Sequence, residues 1–197
     1  MRPDWYTVNE TLSDEEADYL IKLAEPKRER AGIGNRKEKT FFKRISDATI
    51  RNSSVFWFRS GENPEADALI NRLVTIFMDV SFNYFGARIA RVEPVQYTRY
   101  GILNHYAYHM DSGNMDGDRF RVMSASVELS KPNDYLNGGL EFRDHPNRRP
   151  KVSKGTMTCF PSLMIHRARP VFWGTRSSLV LWGSSQRDQE LHDEPDK

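Results

Sequence analysis

Residues 105–111 read His105-Tyr106-Ala107-Tyr108-His109-Met110-Asp111. The interleaving of Tyr106, Ala107 and Tyr108 has the period of a strand, which places His109 and Asp111 on one face, where an imidazole and a carboxylate can meet a common metal ion. His105 would share zinc with His109 only on a helix; four residues along a strand is too far, so it is read as structural or as a substrate-edge residue. His166 follows far downstream in another strand-like run after Phe160-Pro161-Ser162, and a sheet closed into a roll can bring it opposite the pair. Two histidines and one carboxylate cover one face of an octahedral ion and leave three adjacent positions open, which suits mononuclear non-haem Fe(II). Zinc hydrolysis with the same ligands is the alternative for this donor set. His145 in a Pro-Asn-Arg loop and His192 in a charged tail are read as solvated.

The same period-two pattern extends outward from this stretch. Short apolar or alternating runs lie near 88–100, 105–110, 121–130, 140–143, 156–160, 164–168 and 177–183, separated by turn signals such as Asp116-Gly117, Asn137-Gly138-Gly139 and Trp173-Gly174. Before about residue 88 the pattern is helical. Ser13 and Glu16 form a capping box, and Ala17, Leu20, Ile21 and Ala24 recur at helical spacing, so a helix is expected over Asp14–Glu25. Pro64 opens a second helix with a wide apolar stripe that ends near Gly86, and Val55–Phe58 reads as a short strand. Between them, the basic run from Pro26 to Arg44, broken by Gly32 and Gly34, is expected to be a loop, and Gly32–Lys43 a candidate lid. The pattern predicts an α+β chain with a mainly β core, helices packed on a sandwich or jelly roll.

Composition narrows the function classes. The 197 residues are 38% hydrophobic and 28% charged, enough apolar material for one packed domain over 1–197: a helical part to about 87, a β core over about 88–185 and a polar tail 186–197. A formal charge of +2 gives no broad positive field for nucleic acid, and Cys159 alone allows no internal disulfide. No run approaches a membrane span and no leader is evident, so a cytoplasmic location is expected.

Arg176 lies ten residues after His166. In the following strand Arg176, Ser178 and Val180 share a face, so the guanidinium can point into the roll and bind a dicarboxylate with its planar fork.

At these residues the sequence resembles the Fe(II)- and 2-oxoglutarate-dependent dioxygenases of the prolyl 4-hydroxylase-like group, including PKHD-type hydroxylases. The resemblance rests on the order and spacing of Tyr100-Gly101, Tyr106, His109-x-Asp111, Arg121, the segment from Ser130 to Glu141 with Gly138-Gly139, Phe160-Pro161-Ser162, His166, Pro170-Val171, Gly174-Thr175-Arg176 and Trp182. It implies a double-stranded β-helix, with His109, Asp111 and His166 on iron, Arg176 and Tyr100 on 2-oxoglutarate, and Arg121, Trp182 and Tyr106 towards the substrate. It also implies O₂ as cosubstrate, ascorbate as a further reductant, and no catalytic acid or base beyond the metal site. The implied activity is hydroxylation of a C–H bond in the manner of procollagen-proline 4-dioxygenases, with a peptide or protein partner favoured over a small molecule, and neither nucleic acid nor membrane expected. Two alternatives are an AlkB-like nucleic-acid demethylase, disfavoured because Trp182 stands where that group has a second Arg, and a non-catalytic cupin-like binding protein. Two positions depart from the group: Leu103, where a loop Gly is common, and Glu128, where an aromatic residue is common and a negative charge would repel the cosubstrate or orient Arg176.

Overall fold

The computed structural model describes residues 2–31, 49–112 and 119–186. The candidate lid at Gly32–Lys43 and the polar tail beyond 186 lie outside the described residues.

Helix α1 spans Asp14–Ala24; the Ser13 hydroxyl accepts from the Glu16 N–H, and the Glu16 carboxylate accepts from the Ser13 N–H at 2.8 Å. Helix α2 spans Pro64–Phe85. The Asn63 side chain caps its start, and Gly86 ends it at φ +63°. Fourteen strands surround them among the described residues: β1 (Tyr6–Val8), β2 (Glu29–Arg30), β3 (Arg51–Asn52), β4 (Ser54–Phe58), β5 (Arg91–Val92), β6 (Val95–Tyr100), β7 (His105–His109), β8 (Arg119–Glu128), β9 (Tyr135–Asn137), β10 (Leu140–Phe142), β11 (Met157–Pro161), β12 (His166–Ala168), β13 (Val171–Gly174) and β14 (Arg176–Gln186). Strands β1-β11-β8-β14-β6-β4-β2 form an antiparallel major sheet, with β5 added along β14; β10-β12-β7-β3 form a minor sheet, and β13 pairs with β9.

The two faces of the major sheet do different jobs, because successive side chains on a strand point opposite ways. Val95 and Tyr97 of β6, Ala125 and Val127 of β8, Met157 and Cys159 of β11, and Leu179 and Leu181 of β14 pack against Leu20, Leu73 and Phe77 of the helices to make the main core. The alternate residues Gln96, Thr98 and Tyr100 of β6, Ser126 of β8, and Arg176, Ser178, Val180 and Trp182 of β14 line a cavity between the sheets. This is the roll expected from the sequence, with the helices covering the outside of its larger sheet.

Two expected boundaries shift. The basic segment does not begin as loop: residues 25–27 form a 3-10 turn, and β2 pairs Glu29 with Val55 and Arg30 with Ser54. The run at 88–100 divides into β5 and β6, because Pro94 between them has no N–H for a ladder. Of the eight strands of two to four residues, five, β1, β2, β3, β9 and β13, lie outside the runs read from the sequence; they are too short to show an alternation and exist through tertiary pairing.

Candidate metal centre

β7 and β12 pair antiparallel with His109 opposite His166, so the register of the minor sheet brings the two imidazoles together. Asp111 lies just past the end of β7, where its N–H and that of Ser112 both bond to the Ser162 carbonyl at 3.0 Å. The ligand-competent atoms of His109, Asp111 and His166 lie within 4.8 Å of one another. His109 Nε2 stands 3.4 Å from Asp111 Oδ1, and His166 Nε2 stands 3.5 Å from Asp111 Oδ2.

Both imidazoles are oriented in the same way. His109 Nδ1 is 2.8 Å from the Ala107 carbonyl, and His166 Nδ1 is 2.8 Å from the Met164 carbonyl. A carbonyl only accepts, so each Nδ1 carries its proton and each Nε2 lone pair is left facing the cluster; such partners are what fix ligating histidines elsewhere. Tyr106 stacks on His109 with ring centroids 3.5 Å apart, and Phe160 meets His166 edge-on at 4.7 Å. Burial favours the neutral form of His166 and shifts it below the usual imidazole range, although the Asp111 charge opposes this. Burial works against the Asp111 anion too, yet the hydrogen bond from His109 and the nearby imidazoles outweigh it and hold the carboxyl well below the usual carboxylate range. Trp182 Nε1, buried and without a formed hydrogen bond, is near enough to add to that stabilisation. A neutral imidazole beside an ionised carboxylate is the protonation state that a divalent metal requires, so the donor set fits Fe(II).

The other sequence-selected residues divide. Tyr100, Tyr106, Trp182 and Arg176 line the same cavity as the three ligands. Arg121 is committed elsewhere: its Nε and Nη2 fork onto the Glu93 carboxylate at 2.6 and 2.7 Å, while its guanidinium lies 4.2 Å from the Trp182 ring. His105 is absent from the cluster, with its ring nitrogens near the carbonyls of Leu103 and Thr49. His145 stacks edge-on against Trp5 at 5.4 Å, beside Asp4. Arg176 is 3% exposed and therefore not a surface turn residue. Its Nε donates to Glu128 Oε2 at 2.9 Å, while Glu128 Oε1 is buried without a partner. The buried cation of this wall thus already carries one carboxylate. A larger open groove, bordered by Leu12, Arg72, Pro132 and Lys154, contains none of the three ligands.

Among the cavity residues that escaped the sequence reading, Arg51 and Gln96 carry the most polar reach. Arg51 lies in the two-residue strand β3, which carries no pattern, and reaches Gln96 Oε1 through Nη2 at 2.8 Å with its guanidinium 4.7 Å from the Tyr106 ring. Gln96 was recoverable, because it shares the inward face of β6 with Tyr100 four residues on.

Fold and site together define a jelly-roll protein with a two-histidine, one-carboxylate cluster facing a buried arginine. A sequence profile of the 2OG-Fe(II) oxygenase superfamily matches residues 95–184, the span from β6 to β14. Over that span the chain is similar to the 2OG-Fe(II) oxygenases, a superfamily that uses Fe(II), 2-oxoglutarate and O₂. It is 35% identical over 91 residues to a PKHD-type hydroxylase of Polaromonas sp., covering 43% of this chain and 40% of the relative. A PKHD-type hydroxylase of Nitrosomonas europaea is 31% identical over 129 residues, covering 61% and 57%. The matches therefore span about half the length of these relatives. Among solved structures, a viral collagen prolyl hydroxylase from Paramecium Bursaria Chlorella virus-1, in complex with 2OG, superposes with TM-score 0.68 at 22% identity, covering 93% of this chain and 97% of that one. A Pseudomonas putida prolyl-4-hydroxylase gives TM-score 0.69 at 17% identity, with 93% of each covered. A Trichoplax adhaerens prolyl hydroxylase, in complex with a hypoxia inducible factor peptide fragment, gives 0.68 at 17%, covering 91% and 83%. These likenesses concern the fold: a double-stranded β-helix. No helix among the described residues is long and apolar enough to cross a membrane.

Proposed function

We propose that this chain is a single-domain Fe(II)- and 2-oxoglutarate-dependent hydroxylase acting on a C–H bond, with a prolyl residue of a peptide or protein as substrate. The observation that carries the reading is the convergence of His109, Asp111 and His166 on one point of a cavity whose wall also holds Arg176. The prolyl substrate is supported by the PKHD-type relatives and by the prolyl hydroxylases that share the fold.

In this reading His109 Nε2, Asp111 and His166 Nε2 hold the iron. When bound, Fe(II) with 2-oxoglutarate and O₂ supplies the oxidising power for C–H hydroxylation, with succinate and CO₂ as coproducts. The chain's own contribution is positional. The carbonyls of Ala107 and Met164 keep both Nε2 atoms aimed at the centre, so little reorganisation accompanies metal entry. Arg176 and Tyr100 orient the dicarboxylate from the β14 and β6 walls. Leu140, Phe160, Ala168, Val180 and Trp182 make the rest of the lining largely apolar, which keeps water from the reacting groups. Tyr106 and Trp182 face the substrate, and Arg121, forked onto Glu93, backs the Trp182 ring from outside the cavity. No side-chain base is assigned.

Succinate release from 2-oxoglutarate by the iron-loaded protein, with and without a proline-rich peptide, tests this. Peptide-dependent succinate and a matching mass increase of one oxygen on the peptide are expected. Oxygen appearing instead on a methylated oligonucleotide, or no succinate with iron bound, would overturn it.

A further inference from the structure

Glu128 is an unusual neighbour for an anion-binding arginine. It sits at the end of β8 opposite Ser178 of β14, 3% exposed, with Oε2 on Arg176 Nε at 2.9 Å and Oε1 buried without a partner. The groups that face it are Arg176 from β14, the Tyr135 phenol from β9, the Tyr100 phenol from β6 and the backbone at Ser130. Arg176 is the only cation among them, and its Nη2 reaches the Ser126 hydroxyl at 3.5 Å, with the Tyr135 phenol close by. A dicarboxylate that places its far end on Arg176 would therefore bring a second carboxylate to a guanidinium already matched by Glu128, in a wall with no water-exposed relief. Two carboxylates that share one buried site do not both stay ionised.

We propose that a dicarboxylic 2-oxo acid binds this site together with one solvent proton, which Glu128 takes up, whereas a 2-oxo acid without the distal carboxylate binds without it. This rests on the cosubstrate reading above and goes beyond it, since it makes Glu128 the residue that sets cosubstrate choice and its pH dependence. Oε1, which makes no formed hydrogen bond, is the seat for the proton: protonated, it becomes a donor that can meet the incoming carboxylate. The electrostatics point the same way, because burial pushes the Glu128 carboxyl above the usual carboxylate range even with Arg176 beside it.

Calorimetric titration of the Mn(II)-loaded protein with 2-oxoglutarate and with 2-oxobutanoate, each in two buffers of different ionisation enthalpy across the neutral range, counts the protons. Both acids present the same keto-acid head, so any proton released at the metal cancels in the comparison. About one more proton should be taken up with 2-oxoglutarate, and its affinity should weaken about tenfold per pH unit once Glu128 is ionised, while 2-oxobutanoate shows neither effect. Glu128→Gln, which keeps an acceptor for Arg176, should abolish the difference and bind 2-oxoglutarate more tightly at alkaline pH. Equal proton counts for the two acids in the wild-type chain would overturn the proposal without recourse to any variant. Exclusion of 2-oxoglutarate at every pH, relieved by Glu128→Gln, would overturn it too, showing that Glu128 excludes the dicarboxylate and does not couple it to a proton. Binding of neither acid to the metal-loaded protein would instead refute the cosubstrate reading, and the proposal with it.

Discussion

Glu128 and Arg176 are each 4% exposed by side chain, 2.9 Å apart, and should be unequal in what their loss costs. At about 4 Å, a usual charge-centre spacing for such a contact, the attraction is about 4 kcal/mol at an effective dielectric constant of about 20. Removing one partner of such a buried pair costs about 3–5 kcal/mol, because the other is left uncompensated. The two survivors differ, however. Arginine cannot shed its proton, so Glu128→Leu should lose about 3–5 kcal/mol at any pH where the protein is folded. The glutamic acid left by Arg176→Met can neutralise itself by gaining a proton, at about 1.4 kcal/mol for each pH unit above its unfolded pKa near 4.3. That variant's loss should therefore be at most about 4 kcal/mol at pH 7 and shrink to about 1 kcal/mol at pH 5. The sign is fixed: a carboxyl raised in the folded state contributes stability below its unfolded pKa and loses it as pH rises. The double variant, with both positions apolar, should return close to wild type. Urea unfolding of the metal-free proteins, followed by circular dichroism at both pH values, reads all four corners of the cycle. A Glu128→Leu loss below about 1 kcal/mol, or an Arg176→Met loss that does not shrink on acidification, would refute the dry, ion-paired description.

Three further outcomes are expected. Leu103 holds a left-handed φ of +61° and is 67% exposed, so Leu103→Gly relieves strain without opening a cavity and should raise stability by about 0.5–1 kcal/mol in thermal unfolding. Gly174 has φ +76°, and a Cβ there would fall 2.0 Å from the Asp134 carbonyl; Gly174→Ala should cost about 2–4 kcal/mol and disturb the turn that launches Arg176 into the cavity, seen as weaker 2-oxoglutarate binding in the variant that still folds. Alanine at His109, Asp111 or His166 should abolish tight Fe(II) or Mn(II) binding measured by equilibrium dialysis. In the wild type the affinity should fall on acidification through the imidazole range, since burial keeps His166 neutral and protonation of either ring removes its lone pair.

What the sequence shows of this fold follows from element length. Helix α1 was legible to within one residue because Ser13, Glu16 and the apolar spacing agree, and β14 was legible because an eleven-residue strand displays its alternation many times over. Strands such as β3 show one repeat at most. Their existence depends on partners distant in sequence, as when Arg51 meets Tyr106, so Arg51 had no local signal at all. The metal cluster was readable because its ligands are a spaced pair and a residue at the start of a strand, and each position carries chemistry with few other uses. The pairing of Glu128 with Arg176 was not readable in the same way. Both residues stood out, Glu128 as a departure from the resembled pattern, but whether the acid repels the cosubstrate or grips the arginine depends on the β8–β14 register, which sets Glu128 opposite Ser178, two residues from Arg176. Leu103 shows a related limit: the departure from glycine was visible, while the positive φ that makes it costly belongs to the backbone.

In the proposed function, His109, Asp111 and His166 hold an iron to which 2-oxoglutarate binds, oriented by Arg176. Anaerobic titration of 2-oxoglutarate into the Fe(II) protein, watched for the visible charge-transfer band of a chelated keto acid, tests it without knowledge of the substrate. A saturable band that is absent in His109→Ala and needs far more ligand in Arg176→Met is the predicted result; iron demonstrably bound with no band at any 2-oxoglutarate concentration, across the neutral pH range, would contradict it.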